Sequence, residues 1–464
     1  MHEQRRSKTI FEKALDINLD PLFYGSFAEI GAGQEVARQF FQAGKASQTI
    51  ALTISAYDMT YSDIIYGKEK SGRYVCKPRL EKMLDREYEK LLQRLGPIRS
   101  QETCFFSFAD TVATSSDGDK KSCHGWIGVK FQATPKSEAQ QVILHVRMLD
   151  RHRLQQQETL SKLGVNLIHS CFYRRKTQSE FLSGLFDQIK PDALSVDVIY
   201  FQGIEFKKFD EIFFNLMLVE SGYSEACLID PNGVVQNPAD SFWNKSLLIQ
   251  RGFFNPVTNT HLDIFKRGQE HFKKEFSLKP NDVMGIFEFT IDNRAKKTHL
   301  STEQTYARVK MINELNIPVL VTGFTLFYQL KEFIRLSTPS PLAIVIGATH
   351  LEKLFDESFY NDLKGGLLEG MSKLLGRFSR LYIYPHKTAE ICLLTKSFFP
   401  KPNIKNIYKH FIENNMIQDI AGCDELSEFI HSDDVLKLIK KKDKSWKKLV
   451  PEKIHRLLDT KPVS

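Results

Sequence analysis

Two hydrophobic patterns alternate along the chain. Short, almost unbroken apolar runs fall at 104–109, 126–131, 142–148, 194–201, 247–250, 283–290, 318–322, 342–346 and 381–384. Runs of that length bounded by turn residues predict buried strands. A helical period marks 80–95, which Gly96 and Pro97 are expected to end, and also about 153–162, 178–189, 324–335 and the residues from about Thr260 onward. In the last of these, Leu262, Phe265, Phe272 and Phe276 share one face, while Lys266, Arg267, Lys273 and Lys274 lie elsewhere. From 246 to about 400 strands and helices alternate, which predicts a parallel sheet with helices on both faces. Before 246 the order is less regular. An opening helix, a strand at 27–30 and a polar loop at 115–122 between two strands predict an α+β or α/β region.

These patterns divide the chain into 1–245, with a further break near 100, then 246–400, then a helical extension at 401–464. The 464 residues are enough for two or three sizeable cores. No apolar run approaches the roughly 20 residues that a membrane-spanning helix needs, and the first residues lack the apolar core of a signal peptide. No membrane association is therefore expected. The cysteines number seven, are scattered and never form C-x-x-C. That usage predicts a reducing, cytoplasmic setting and no zinc knuckle. No metal-ligating set stands out.

The net charge of +8 is concentrated near the end, in 437–456. There Lys440, Lys441, Lys442, Lys447 and Lys448 are interleaved with Leu438, Trp446, Leu449 and Ile454. The segment reads as a docking helix with a solvated face, or as a contact for nucleic acid or an anionic surface. The remainder is close to neutral and does not look like a nucleic-acid sheath. Nothing in the sequence sets the oligomeric state.

The most informative stretch is 246–276. An apolar strand runs into a loop containing Gly252, Phe253, Asn255, Pro256, Thr258 and Asn259, and an amphipathic helix opens at Thr260 and His261. A helix N-terminus offers unpaired N–H groups and partial positive charge to a phosphate. His261, in the first turn, could reach the same group. Further on, the strand 283–290 is followed by Asp292, the basic pair Lys296 and Lys297, then Ser301 and Arg308. A basic loop at the end of a strand beside a phosphate site is placed to hold a triphosphate. The fourth strand ends at Gly347, Ala348 and Thr349.

The run from Gly252 to Leu262 resembles the signature of the nucleotidylyltransferase superfamily, and within it the nicotinate/nicotinamide mononucleotide adenylyltransferases, G-[ST]-F-N-P-[IV]-[HT]-x-x-H-[LF]. The block from Asp292 to Met311 is similar to that family's second one. The resemblance covers 246–400 and implies a Rossmann-like sheet. It also implies Mg²⁺-dependent transfer of an adenylyl group from ATP to a mononucleotide such as nicotinate mononucleotide, in NAD biosynthesis. On that basis His261 and Lys296 are the catalytic candidates, with His261 stabilising charge on the transferring phosphate. Gly252, Phe253, Asn255, Thr258, Thr260, Lys297, Arg308 and Gly347 would hold ATP and its phosphates.

Three departures stand against the family pattern. Phe253 replaces a small residue, and Thr349 stands where the family has Asp. The late I-S-x-T-x-x-R block has no counterpart beyond Thr395, Lys396 and Ser397. A domain that keeps the nucleotide pocket but serves as a sensor or scaffold is the competing reading. A third places an enzyme in the N-terminal half, around the G-x-G of Gly31 and Gly33, a weak phosphate-loop pattern without a third glycine. Cys123, His124 and His145 lack a second ligand pair at recognised spacing, so packing and hydrogen bonding explain them best.

Overall fold

The computed structural model describes residues 8–31, 33–70, 72–114, 123–293 and 298–460, which fall into two compact units, Met1–Glu225 and Ala226–Ser464. In the first, β1 (Phe23–Gly31), β2 (Ile50–Ala56), β3 (Cys104–Ala113), β4 (His124–Gln132), β5 (Ala139–Met148) and β6 (Leu194–Gln202) form one sheet. The order is β2-β1-β3-β4-β5-β6. Helical crossovers make β2, β1 and β3 parallel; β3, β4 and β5 follow one another antiparallel, and β6 pairs antiparallel with β5 after the helices Arg153–Tyr173 and Gln178–Leu185.

Burial follows the strand alternation. Phe106 and Phe108 of β3 enter the core shared with the helices Ile10–Leu19, Val36–Ala43 and Arg153–Tyr173, while Phe105 packs with Tyr88 and Leu91 of the helix Lys77–Arg99. With both faces covered, β3 is apolar on both, which is why it reads as an unbroken run.

Two helices outrun the sequence expectation. Arg153–Tyr173 passes through Gly164, where a Cβ would lie 2.4 Å from the Val36 side chain. That glycine permits close helix packing and does not end the helix. Lys77–Arg99 likewise runs past Gly96 and Pro97. Pro97 lies in the last turn, where the helix still closes through the Ser100 N–H to the Gly96 carbonyl at 3.1 Å.

The second unit contains, in chain order, β7 (Ala226–Ile229), β8 (Val235–Gln236), β9 (Ser246–Arg251), β10 (Val283–Thr290), the small hairpin β11 (Asp292–Asn293) and β12 (Thr298–His299), and β13 (Val319–Thr322). Then come β14 (Leu342–Gly347), β15 (Ser379–Tyr384), the hairpin β16 (His386–Lys387) and β17 (Cys392–Leu393), and β18 (Ile417–Asp419). The main sheet has the order β18-β15-β14-β9-β10-β13-β7-β8. Its six strands from β18 to β13 are parallel, and β7 is antiparallel to β13. The chain moves outward from β9 through β10 to β13. It then returns to lay β14, β15 and β18 on the other side, so the strand order reverses between β9 and β14.

Leu247 and Ile249 face one helical layer and Leu248 the other. The result is the expected α/β fold, with parallel strands flanked by helices. The boundary differs from the expected one near 245: Ala226–Ile229 pairs with β13 and so belongs to the second sheet. Residues 401–464 are not a purely helical extension either, because β18 adds a strand beside β15.

Cys392 and Cys423 form a disulfide, with Cα atoms 6.1 Å apart. The expectation of wholly reduced cysteines does not hold for this pair. Among the described residues no helix is long and apolar enough to cross a membrane.

Candidate functional site

In open α/β sheets ligands bind beyond the carboxyl ends of the strands, where the strand order reverses. Here that place holds a cavity of about 330 Å³. Gly252 and Phe253 after β9, Gly347 at the end of β14, and His261 line it, together with Thr290 and Asp292 beyond β10. Leu326, Phe327, Ile346, Leu354 and Tyr360 supply much of its apolar wall.

The loop after β9 is held from inside. Phe254 takes a positive φ of 48°. Its ring stacks on Phe287 at 4.4 Å and meets the edge of His261 at 5.1 Å. A Cβ on Gly252 would lie 2.7 Å from the Phe254 ring, so this glycine is required by a close approach. Asn255 is buried, and its Oδ1 has no partner among the described residues. Thr258 caps the helix Asn259–Glu275.

Nδ1 of His261 accepts the Thr258 N–H at 2.9 Å, with Thr258 Oγ1 also 2.9 Å away. The ring proton is therefore on Nε2, which has no partner among the described residues. Burial, followed by the nearby His431, pushes the His261 pKa down to about 4. The side chain is a neutral N–H donor at pH 7. Any stabilisation of a phosphate by this side chain is then through a hydrogen bond and not through a charge of its own.

Arg251 is the main residue that the sequence reading missed. Its guanidinium binds buried Glu288 of β10 at 2.5 and 2.8 Å, and Glu288 accepts the Thr322 hydroxyl of β13 at 2.6 Å. It also donates to the carbonyls of Phe324 and Thr325 at 3.1 and 3.3 Å, and stands 4.7 Å from the Phe327 ring centre. One side chain thus ties together the ends of three strands and the loop that carries Thr325, Leu326 and Phe327 to the cavity. The only sequence signal was a cation closing an apolar strand.

Other candidates fall differently. Arg308 points at Phe253: Nη1 donates to the Phe253 carbonyl at 3.1 Å and the guanidinium lies 4.1 Å from the ring centre. It is not among the residues lining the cavity. Burial lowers its pKa to about 10, so it stays charged at neutral pH. Lys296 and Lys297 lie outside the described residues. Thr349, in the family's Asp position, is exposed.

The helix N-terminus is not open to solvent as expected. The Asn259 N–H donates to the Leu449 carbonyl at 2.9 Å, and Asn259 Nδ2 to the Lys448 carbonyl at 3.0 Å. The Ile430 N–H donates to Thr260 Oγ1 at 3.0 Å, and the Ser432 hydroxyl to the Pro256 carbonyl at 2.8 Å. Phe429, Ile430, His431, Ser432 and Asp433 form a cavity wall. The C-terminal segment is thus part of the site. Trp446 and Ile454 are buried while Lys440, Lys441, Lys442 and Lys444 are exposed, the pattern of a docked segment with a solvated face.

The Gly31 and Gly33 turn of the first unit is not a ligand loop. Glu29 fills the N-terminus of the helix Val36–Ala43: Oε1 accepts the Val36 N–H at 2.7 Å and Oε2 the Ala37 N–H at 3.3 Å. A Cβ on Gly33 would lie 2.2 Å from Asp110 Oδ1, and one on Gly31, at φ 81°, 2.3 Å from the Val112 carbonyl. The glycines make room for neighbouring strands and carboxyls.

Nearby in the same sheet, His145 bridges His124 at 3.0 Å and Asp197 at 2.8 Å, and Asp197 also binds Arg147. This confirms hydrogen bonding for the histidine pair. Among the described residues no group of three or more His, Cys, Asp or Glu could hold a metal ion.

No protein-family model matches the chain, and no curated protein matches it. Solved structures of the competence-damage (CinA) superfamily are similar to part of it. The competence/damage inducible protein CihA from Agrobacterium tumefaciens is 16% identical, and the match covers 35% of this chain and 94% of that one at a TM-score of 0.27. The competence or damage-inducible protein from Enterobacter asburiae is 12% identical over 35% and 98%, at 0.26. The CinA superfamily protein from Escherichia coli is 14% identical over 34% and 84%, at 0.24. Scores this low carry no functional conclusion.

Proposed function

We propose that the C-terminal unit binds ATP, as its Mg²⁺ complex, in the cavity between β9 and β14, and transfers its adenylyl group to a mononucleotide. A phosphate oxygen of the acceptor forms a bond to the α-phosphorus of ATP. The bond from that phosphorus to the oxygen bridging to the β-phosphorus breaks, and pyrophosphate leaves with the electron pair. No covalent enzyme intermediate is needed, so the chain has to supply position and charge stabilisation. The apolar wall of Leu326, Phe327, Ile346 and Leu354 suits a base. The Nε2–H of His261 donates to a phosphoryl oxygen as negative charge builds there. Nicotinate mononucleotide is the acceptor suggested by the motif resemblance.

One observation carries the reading: an unpartnered Nε2–H on a histidine with a fixed tautomer, lining a cavity at the strand-order reversal. Purified protein with labelled ATP, Mg²⁺ and a panel of mononucleotides should release pyrophosphate with at least one acceptor. Release with none would exclude the transferase reading for that panel.

The sensor reading is favoured by a different observation. The Asn259 N–H is already used by the Leu449 carbonyl, Thr349 lacks a carboxylate, and the late Ser/Thr/Arg block is missing. Calorimetric binding of ATP without turnover on any acceptor would select it.

A further inference from the structure

The two edges of the N-terminal sheet are treated differently. Along β6 the outer edge is covered. The Ile199 N–H donates to Asn215 Oδ1 at 3.0 Å, and the Ile199 carbonyl accepts from Asn215 Nδ2 at 3.0 Å. The Phe201 N–H donates to Glu211 at 2.8 Å, and the Val196 N–H to the Tyr223 carbonyl at 2.7 Å. The opposite edge is β2, paired on one side only, with β1. Free edges are normally defended by charge, proline, a bulge directed outward or a covering element. Ile50–Ala56 contains no charge and no proline, its one irregularity lies at Ala51, near the start of the strand, and beyond it Leu52, Thr53 and Ser55 are exposed.

Large apolar side chains accompany this edge. Leu52 is 41% exposed, Tyr57 77%, Met59 57%, Tyr61 58% and Ile64 74%. Tyr57 to Ile64 belong to the turn after β2 and to the helix Met59–Tyr66, which Asp58 caps through the Tyr61 N–H at 2.8 Å. The polar groups of this helix are satisfied inward: Asp63 binds Arg79 at 2.5 Å and Tyr74 at 3.0 Å.

We infer that β2 and the helix Met59–Tyr66 form an isologous dimer interface, in which β2 of two copies pairs antiparallel about a two-fold axis near Thr53. Such an axis sets Leu52 of one copy opposite Ile54 of the other, on the regular part of β2 beyond the irregularity at Ala51. No charge lies between Ile50 and Tyr57, so self-pairing brings no like charges together, which an isologous contact must avoid. The area fits a second copy. Large side chains offer roughly 150–250 Å² each, so these five at their observed exposure supply on the order of 500 Å² per copy. Both copies with the paired backbone reach roughly 1,200 Å², the lower bound for a stable interface.

Sedimentation velocity on the full chain, from about 1 to 50 μM, tests this. A concentration-dependent dimer is expected. Leu52→Lys with Ile64→Lys, both at solvent-exposed positions, should weaken it at least tenfold and leave the far-ultraviolet circular dichroism unchanged. Thr53→Cys should give a cross-linked dimer on mild oxidation, since residues facing each other across the axis have Cβ atoms about 4.5–5.5 Å apart. A monomer throughout the range, or a dimer that survives the double lysine variant, overturns the proposal.

Discussion

The two units each place a strand, a glycine-bearing turn and a helix in the same order, yet they use the helix N-terminus in opposite ways. In the first, the Glu29 carboxylate takes the Val36 and Ala37 N–H groups, and Asp110, its cross-strand neighbour, packs against Gly33. The donors of that N-terminus are already taken by the chain's own carboxyl. In the second, neutral His261 stands in the first turn with Nε2–H unpartnered, beside a cavity. A strand–turn–helix is therefore not a phosphate site by shape. The side chain that occupies its donors decides.

The largest effect expected from this contrast is on turnover. His261→Ala should lower the adenylyl-transfer rate by roughly 10²–10³, about 2.7–4 kcal/mol of transition-state stabilisation, and change ATP affinity much less. Pyrophosphate release and calorimetry on the same preparations measure the two. His261→Asn tests how the residue acts. A neutral hydrogen-bond donor should recover part of the rate, whereas a requirement for positive charge would recover none. Equal rates in the wild type and His261→Ala would remove the residue from the mechanism.

The glycines offer the next test. Gly33→Ala forces a Cβ against a buried carboxyl, and overpacking of that kind costs about 1–3 kcal/mol. Gly347→Ala meets its nearest atom, His350 Nδ1, only at 3.7 Å and its φ is −74°. That change should stay within about 0.5 kcal/mol of wild type. Denaturant midpoints compare the pair. Similar losses at both positions would mean that Gly347 is also required by packing.

Titration sharpens the comparison through opposite signs. Burial raises the Glu29 pKa from 4.5 to about 7, despite the Val36 and Ala37 N–H groups, and Asp110 beside it is pushed well up by burial and by Glu29. A raised acid keeps its proton in the folded state while the unfolded chain loses it. Its contribution is full below pH 4.5 and is lost as pH rises toward about 7. His261 is lowered from 6.5 to about 4, so its contribution is present above pH 6.5 and is lost as pH falls toward 4. Glu29→Gln should therefore remove a falling stability slope, and His261→Asn a rising one. Hydrogen exchange on the amides of each unit reads them separately. Slopes of the same sign would contradict the burial of one of the two groups.

The strands were legible because their burial is local. Each apolar run from 104–109 to 381–384 falls on a strand of the structure, 318–322 beginning one residue before β13, and the alternation with helices gave the parallel sheet though not its strand order. What escaped depends on distant chain. Gly164 lies past the expected helix end near 162, and its place in the helix makes sense only with Val36 packed against it. Arg251 gains its role only when β9, β10 and β13 lie side by side. The state of His261 follows from the Thr258 N–H, which fixes the tautomer, and from burial that motif spacing does not encode. The wall at Phe429–Asp433 joins a loop some 170 residues earlier, and no periodicity announces that.

That wall gives the smallest predicted effect, and it separates the two readings of the second unit. The Ser432 hydroxyl donates to the Pro256 carbonyl at 2.8 Å, in the loop that leads into the helix carrying His261. Ser432→Ala removes one hydrogen bond, worth about 1 kcal/mol, or roughly fivefold in an equilibrium. If the C-terminal segment builds the nucleotide site, loosening it should weaken ATP binding by about that factor, and turnover at saturating ATP should change little. If the segment instead fills the helix N-terminus of this unit as Glu29 fills that of the other, loosening it should tighten ATP binding. Calorimetry with ATP and Mg²⁺ on both proteins decides by the sign of the change. A weaker complex keeps the units opposite in kind, because one N-terminus is then closed by its own carboxylate and the other is completed by a wall around an open donor.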